Sequence, residues 1–547
     1  MQIPVEKNKQ YEIKIEDLGN NGEGIGRIDG YTVFVEGALP EETVRVLMVK
    51  IKKHYGYGKL MEILVPSQNR VKPSCPVANQ CGGCQLQHLS YAGQLAFKTK
   101  KVKDHLERIG GFRGITVQPA LGMENPWRYR NKAQFPVGGT VDMPKVGFYA
   151  KRSHRIIDAP VCFLQHEMND EIVRIIRQFL VEFHISPYDE TTHKGLVRHI
   201  LTRIGKQTGQ IMVCLVLNGK KLPHAEILVE RLCEISGMTS IVINENTVKT
   251  NVILGEKIHV LWGKPFIQDK IGEVMFEISP LSFYQVNPTQ TNVLYQTALG
   301  MAELDGTETV LDLYCGIGTI SLFFAQKAKS VFGVEIVPQA IEDAKRNAMQ
   351  NKIDHVDFMV GAAEDVIPML YTKQGISADV VVVDPPRKGC DEKLLETMLS
   401  IAPKKIVYVS CDSATLARDL AYLCMKGYRV QKVQVVDMFP WTVHVETVVQ
   451  LSQRKPDDVI RVGLDLDGLD ITSAESKATY PELKDYILNK YGFKVSSLYI
   501  AQVKQKCGIV ERENYNKPKS EDAKQPQCPS EKEEAIREAL EHFGMIR

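Results

Sequence analysis

DLYCGIGTISL, residues 312–322, decides how this chain folds. TVLDLY reads as a buried strand, Gly316 and Gly318 as a turn, and TISL as the opening of a helix. Glycines there let backbone approach a ligand, and the helix start offers free N–H groups. Glu335 ends the next strand, where a carboxylate can accept hydrogen bonds from both hydroxyls of a ribose. The three features together point to a nucleoside-containing cofactor. After Gly318 come Thr319, Ile320 and Ser321, so the third glycine of the dinucleotide fingerprint is missing. That favours S-adenosylmethionine over NAD.

Outward from this turn, the chain from 278 to 454 alternates strand and helix. TVLDLYCG, SVFGVEIV, VDFMVGA, ADVVVVDPP and KIVYVSCD are the strands. PQAIEDAKRNAMQNK and SATLARDLAYLCMKG are two of the intervening helices. Such alternation implies an α/β fold with a parallel sheet covered on both faces. YRVQKVQVVDMFP and HVETVVQLSQR are too close for a helix between them and should pair antiparallel.

Two more residues fall at the same sheet edge. DPPRKG (384–389) puts Asp384 at a strand end, with two prolines holding the backbone off helix. Cys411 follows the next strand. A lone cysteine is ordinarily a small core residue, but a thiolate here would be a nucleophile suited to uracil C6. Adding sulfur to C6 makes C5 an enolate carbon able to take a methyl group, after which a base must remove the C5 proton. Glu446, in FPWTVHVETVV, is the predicted base.

The remaining sequence bounds the architecture. At 547 residues, with 44% hydrophobic and 24% charged side chains, the chain should form several globular domains. It has no signal-like start and no apolar run long enough to span a membrane, so a cytoplasmic protein is expected. The net charge of +2 hides an asymmetry. Residues 67–166 hold 15 Lys and Arg against 5 Asp and Glu, a local +10 that leaves −8 elsewhere. A basic segment in a neutral chain is the footprint of a polyanion, most simply nucleic acid.

Residues 1–66 show short alternating segments between Gly-rich turns and predict a small OB-like β-barrel. Its KIKKHYGYGK (50–59) interleaves Lys with Tyr55 and Tyr57, as a single-stranded RNA surface requires. Residues 67–277 read as a mixed α+β domain. LAFKTKKVKDHLERIG (95–110) is expected as a helix with a basic face, and LVRHILTRI and QIMVCLVLN as paired strands. PWRYRNKAQFPV sets Arg128, Arg130 and Lys132 beside Trp127 and Tyr129. Residues 455–547 form a C-terminal extension: a linker or hairpin, two helices with Ser496 or Ser497 as N-cap, a Pro- and Lys-rich stretch, and a closing helix. The pair of helices is compatible with a helix-turn-helix-like module.

FYQVNP (283–288), DLYCGIGTISL, GVEIV, DPPRKG, VYVSCDSATLARDL and DMFPWTVHVETV, in that order, resemble the RNA uracil-5-methyltransferases. The resemblance spans residues 1 to about 454. It implies a Rossmann-like class I methyltransferase domain, with Gln285, Tyr314, Glu335 and Asp384 contacting S-adenosylmethionine and Asp384 also serving the uracil pocket. Cys411 would be the nucleophile and Glu446 the base, and the barrel would be an RNA-binding TRAM domain. One departure stands out: Asp412 and Ser413 follow the cysteine where the family often has Asn-Pro.

The remaining motif is CPVANQCGGC. In the ribosomal-RNA branch of this family a matching quartet holds a [4Fe–4S] cluster, which carries over to Cys75, Cys81, Cys84 and Cys162. Spacing alone leaves structural zinc open. The resemblance thus implies 5-methyluridine formation in 23S rRNA; a monomer with no membrane partner is expected. The rivals are a tRNA T-loop methyltransferase, a cytosine-5 RNA methyltransferase, and a non-catalytic Fe–S RNA-binding or ribosome assembly factor. No cysteine precedes Arg387 in VVDPPRKGC, which opposes the cytosine reading.

Overall fold

The computed structural model describes residues 3–374, 377–454, 480–491, 493, 495–507 and 528–543. It divides into two compact units, residues 1–462 and 463–547.

In the first unit, strands Gln10–Leu18, Gly24–Ile28, Tyr31–Val35, Thr43–Ile51 and Tyr55–Val65 close into a barrel. Period-2 alternation turns Ile13, Ile15, Val33, Val35, Val44, Val46 and Met48 inward, all buried. Asp29-Gly30, both at positive φ, supplies the tight turn that joins the second and third strands. On the outer surface Phe34, Tyr55 and Tyr57 form a cluster with ring centroids 5.7–5.8 Å apart. The two tyrosines were legible in sequence; Phe34 was not, because it arrives from a neighbouring strand.

Next comes helix Tyr91–Arg108, started by Ser90, whose side chain accepts from Gly93 N. The expected basic face needs correction. Lys98 is fully buried and pairs with buried Asp437 at 2.5 Å, while Tyr91 donates to the same carboxylate at 2.9 Å. Lys100 pairs with Asp17 and Asp104, and Lys101 donates to the carbonyls of Asn20 and Val443. The helix lies between the barrel and the last strands of the chain's main sheet, so Lys98 and Lys101 are spent on internal partners, whereas Lys100, Lys103 and Arg108 remain exposed.

A seven-stranded sheet follows, in the order Lys257–Gly263, Met238–Glu245, Ile211–Leu217, Val197–Ile204, Lys132–Gly139, Pro144–Tyr149, Ile156–Asp158. The expected pairing of LVRHILTRI with QIMVCLVLN is present, antiparallel, with Val197 opposite Leu217. Helices Met168–Glu182 and Ala225–Cys233 cover one face.

The main sheet has eight strands: Val356–Val360, Ser330–Glu335, Thr309–Asp312, Val380–Val383, Lys405–Ser410, Glu446–Gln453, Tyr428–Val436 and Gln118–Leu121. The first five are parallel, and two apolar clusters cover the two faces. The last two strands of the domain do pair antiparallel, but the later one inserts between its partner and Lys405–Ser410. Gln118–Leu121, from the basic segment, extends the far edge.

In the second unit, helices Tyr480–Tyr491, Ser497–Lys506 and Ser530–His542 share a small core of Leu483, Ile487, Ile500, Val503, Ile536 and Leu540. Ser496 is the cap, accepting from Tyr499 N at 3.2 Å. The expected linker or hairpin, and most of the Pro- and Lys-rich stretch, lie outside the described residues.

Candidate active site

Cys411 stands between strand Lys405–Ser410 and helix Ser413–Met425. Asp412 caps that helix, accepting from Ala414 N at 3.0 Å and Thr415 N at 3.1 Å. The helix is clamped to the DPPRKG loop: Thr415 Oγ1 donates to the Arg387 carbonyl, and Arg418 to the carbonyls of Lys388 and Cys390. Glu446 begins the adjacent strand, whose register puts Ser410 opposite Thr447. One residue further on each side stand Cys411 and Glu446, and the charge of Glu446 acts on the thiol. Nucleophile and base candidates, 35 positions apart in sequence, are thus neighbours across one ladder.

Electrostatically the site is a row of carboxyl groups. Glu446 is buried, with Oε2 lacking a partner. Burial, and then the charge of Asp384, hold it well above the usual carboxylate range, with Arg387 opposing. Asp384 is pushed up to about 7 by burial and by Asp312. Asp312 also rises to about 7, by burial and the nearby charge of Glu335, although Ser321 Oγ donates to it at 2.6 Å. The Cys411 thiol is pushed up to about 12 by burial, then by Glu446 and Asp384, with Arg387 again opposing. Glu335, Asp312, Asp384 and Glu446 therefore feel one another along the carboxyl edge of the sheet. Such a row favours a cation, and S-adenosylmethionine brings a sulfonium and an ammonium group.

The glycine turn suits that cofactor. Gly316 (φ 54°) and Gly318 (φ 82°) are in the left-handed region. A Cβ on Gly318 would lie 2.8 Å from the Phe358 ring, whereas Gly316 opens onto empty space. Glu335 is held by backbone: Gly316 N donates to Oε2 at 3.3 Å and Val337 N to Oε1 at 3.0 Å. Gln285 is buried, its carbonyl accepting from Asn131 Nδ2 at 3.0 Å. Tyr314 is half-buried against one of the two apolar clusters of the sheet. Two residues escaped the sequence reading. Asp312 stands inside the quoted motif and could have been found there. Tyr295, buried beside the three carboxyls and bonded to Thr319 Oγ1 at 3.0 Å, looked like an ordinary helix position.

Cys75, Cys81, Cys84 and Cys162 line one cavity of about 300 Å³, together with Arg130, Lys132 and Gln165. The Arg130 Nε and Gln165 Oε1 atoms are buried without partners. Lys132 is brought down to about 7 by burial, then by Arg203 and Arg130. Four thiols on one cavity could act as thiolate ligands, with the nearby cations offsetting their charge. Among the described residues, no three His, Cys, Asp or Glu side chains form a group that could hold a metal ion.

Residues 261–454 match the family model for tRNA (uracil-5-)-methyltransferase, and residues 4–61 match the TRAM domain. An "uncharacterized RNA methyltransferase" of Halalkalibacterium halodurans is 55% identical over 452 residues, 82% of this chain and 98% of that protein. One of Listeria monocytogenes is 53% identical, with the same coverage. Among solved structures, the Pyrococcus abyssi tRNA (uracil-54, C5)-methyltransferase, in complex with S-adenosyl-L-homocysteine, superposes with a TM-score of 0.66 at 30% identity. It covers 81% of this chain and 100% of its own. No helix among the described residues is long and apolar enough to cross a membrane.

Proposed function

We propose that this chain, which belongs to the RNA uracil-5-methyltransferase family, methylates C5 of a uridine in 23S rRNA. The observation that carries the chemistry is the placement of Cys411 beside Glu446 at the edge that also bears Asp384 and the glycine turn. Bound S-adenosylmethionine would supply an electrophilic methyl group, with Glu335 on its ribose and Gln285, Tyr314 and Asp384 around it. Cys411 adds through sulfur to uracil C6, which leaves C5 nucleophilic toward that methyl. Glu446 then takes the C5 proton as the sulfur–C6 bond breaks. Arg387 is the cation placed to favour the thiolate against three neighbouring acids.

We assign Cys75, Cys81, Cys84 and Cys162 to a [4Fe–4S] cluster that holds the basic segment in shape and takes no part in methyl transfer. Structural zinc on the same four thiols is the alternative occupant.

The barrel surface around Phe34, Tyr55 and Tyr57, with its flanking lysines, serves as a stacking platform for unpaired bases. A second reading, tRNA as substrate, draws support from the tRNA (uracil-54, C5)-methyltransferase that superposes on this chain. Mass mapping of 23S rRNA and tRNA from cells lacking the gene separates the two. Loss of 5-methyluridine from 23S rRNA, recovered by the wild-type chain and not by Cys411→Ala, is the expected result. Loss from tRNA alone replaces the substrate, and no loss from either overturns the reading.

A further inference from the structure

His105, on the helix Tyr91–Arg108, bridges two distant parts of the chain. Its Nδ1 lies 2.8 Å from Ser413 Oγ, two residues after Cys411, and its Nε2 lies 3.0 Å from Asn20 Oδ1, on a barrel turn. Because Asn20 presents an oxygen, the ring carries its proton on Nε2. Nδ1 is then left to accept from the Ser413 hydroxyl. Ser413 is 2% exposed, so this hydroxyl has little water to turn to.

The geometry points to His105 as a positioning residue that fixes the Cys411 turn through Ser413, with the barrel as its anchor. The local chain explains why such a brace is needed. Asp412 is extended (φ −136°, ψ 108°) and Ser413 is the first helical residue, a place where proline would set φ by itself. Serine lacks that constraint. Here a hydrogen bond from a separate helix stands in for a ring closed within the residue. Cys411 has to approach C6 from one face of the flat base, so a small rotation of this turn moves the sulfur off its line of attack.

This inference rests on the uracil-methylation reading only for its first assay. The full-length chain is compared with His105→Ala, Asn20→Ala, Ser413→Pro and the His105→Ala/Ser413→Pro double variant. Two rates are followed: covalent adduct formation with 5-fluorouridine RNA at saturation, and alkylation of Cys411 by iodoacetamide, mapped by peptide mass. Removing one positioning hydrogen bond is expected to slow adduct formation about fivefold to tenfold. RNA affinity should stay within error, and the melting temperature should fall by a few degrees at most. In the Ser413→Pro background, losing His105 should have no further effect on either rate.

A twofold or smaller change in His105→Ala overturns the inference, as does an equal loss in the proline background. If the wild-type chain forms no adduct, the uracil reading fails. The brace is then judged on Cys411 alkylation alone, where an unchanged rate in His105→Ala overturns it.

Discussion

Cys411 and Glu446 stand one residue beyond the Ser410–Thr447 pair of an antiparallel ladder, close enough that the carboxylate charge raises the thiol. A thiol and a carboxyl held this way can serve the two ends of one reaction, addition at C6 and proton removal at C5. Replacing Cys411 with Ala should abolish both methylation and adduct formation. Glu446→Gln should slow turnover by roughly 10²–10⁴-fold. Because the sulfur can still add while the C5 proton stays, the variant should accumulate a covalent protein–RNA complex. A denaturing gel reads both outcomes, and rapid release of RNA from Glu446→Gln would assign the proton to another base.

The pH profile follows from the same acids. Glu446 has to be ionised to take a proton and Cys411 to attack, and both are held above their ordinary values. Single-turnover rate should therefore keep climbing with pH into the alkaline range. Asp384→Asn removes a neighbouring charge, so the midpoint should move to lower pH whatever happens to the maximum rate.

Stability should follow pH with the opposite sign. Asp312 and Asp384 keep a proton in the fold up to about 7 that the unfolded chain gives up near its ordinary value. Their burial thus costs nothing at low pH and becomes destabilising as pH rises between the two values. The melting temperature of the cofactor-free chain should fall between about pH 4 and about pH 7. S-adenosylmethionine, with its positive sulfur, should raise it more at the higher pH, and more than S-adenosylhomocysteine does. Equal stabilisation by the two ligands would remove the electrostatic account of cofactor choice.

Lys98 and Asp437 form a fully buried ion pair. Lys98→Met leaves Asp437 uncompensated and should destabilise the fold by about 3–5 kcal/mol in chemical denaturation. A double change to apolar residues of similar size should recover much of that loss.

On the barrel, Tyr55→Ala should weaken RNA binding by roughly 1–3 kcal/mol, the worth of one base stack, with the methyl-transfer rate at saturation unchanged. An unaltered affinity would place the RNA elsewhere.

The α/β rhythm, the glycine turn and the antiparallel close of the sheet were legible because each is written in local periodicity and turn chemistry. Cys411, Asp384 and Glu446 were legible because strand ends collect at one edge of such a sheet. Contacts between segments far apart in sequence were not. Lys98 reads as a surface cation until Asp437 is brought to it from more than 300 residues away. The insertion of Glu446–Gln453 between two strands has no local signal either, since both orders satisfy the same hydrophobic pattern. His105 and Ser413 meet only in three dimensions.

Gln118–Leu121 lies at the edge of the main sheet, paired with Tyr428–Val436. A ribosome making this chain releases the first of these strands some 300 residues before the second. At about 5–20 residues per second, that strand waits roughly 15–60 s for its partner. Its bare edge is therefore exposed during synthesis, when a nascent chain is most open to chaperones and to mispairing. A fragment that begins after residue 121 carries the converse defect, because Tyr428–Val436 is then left as an uncovered edge.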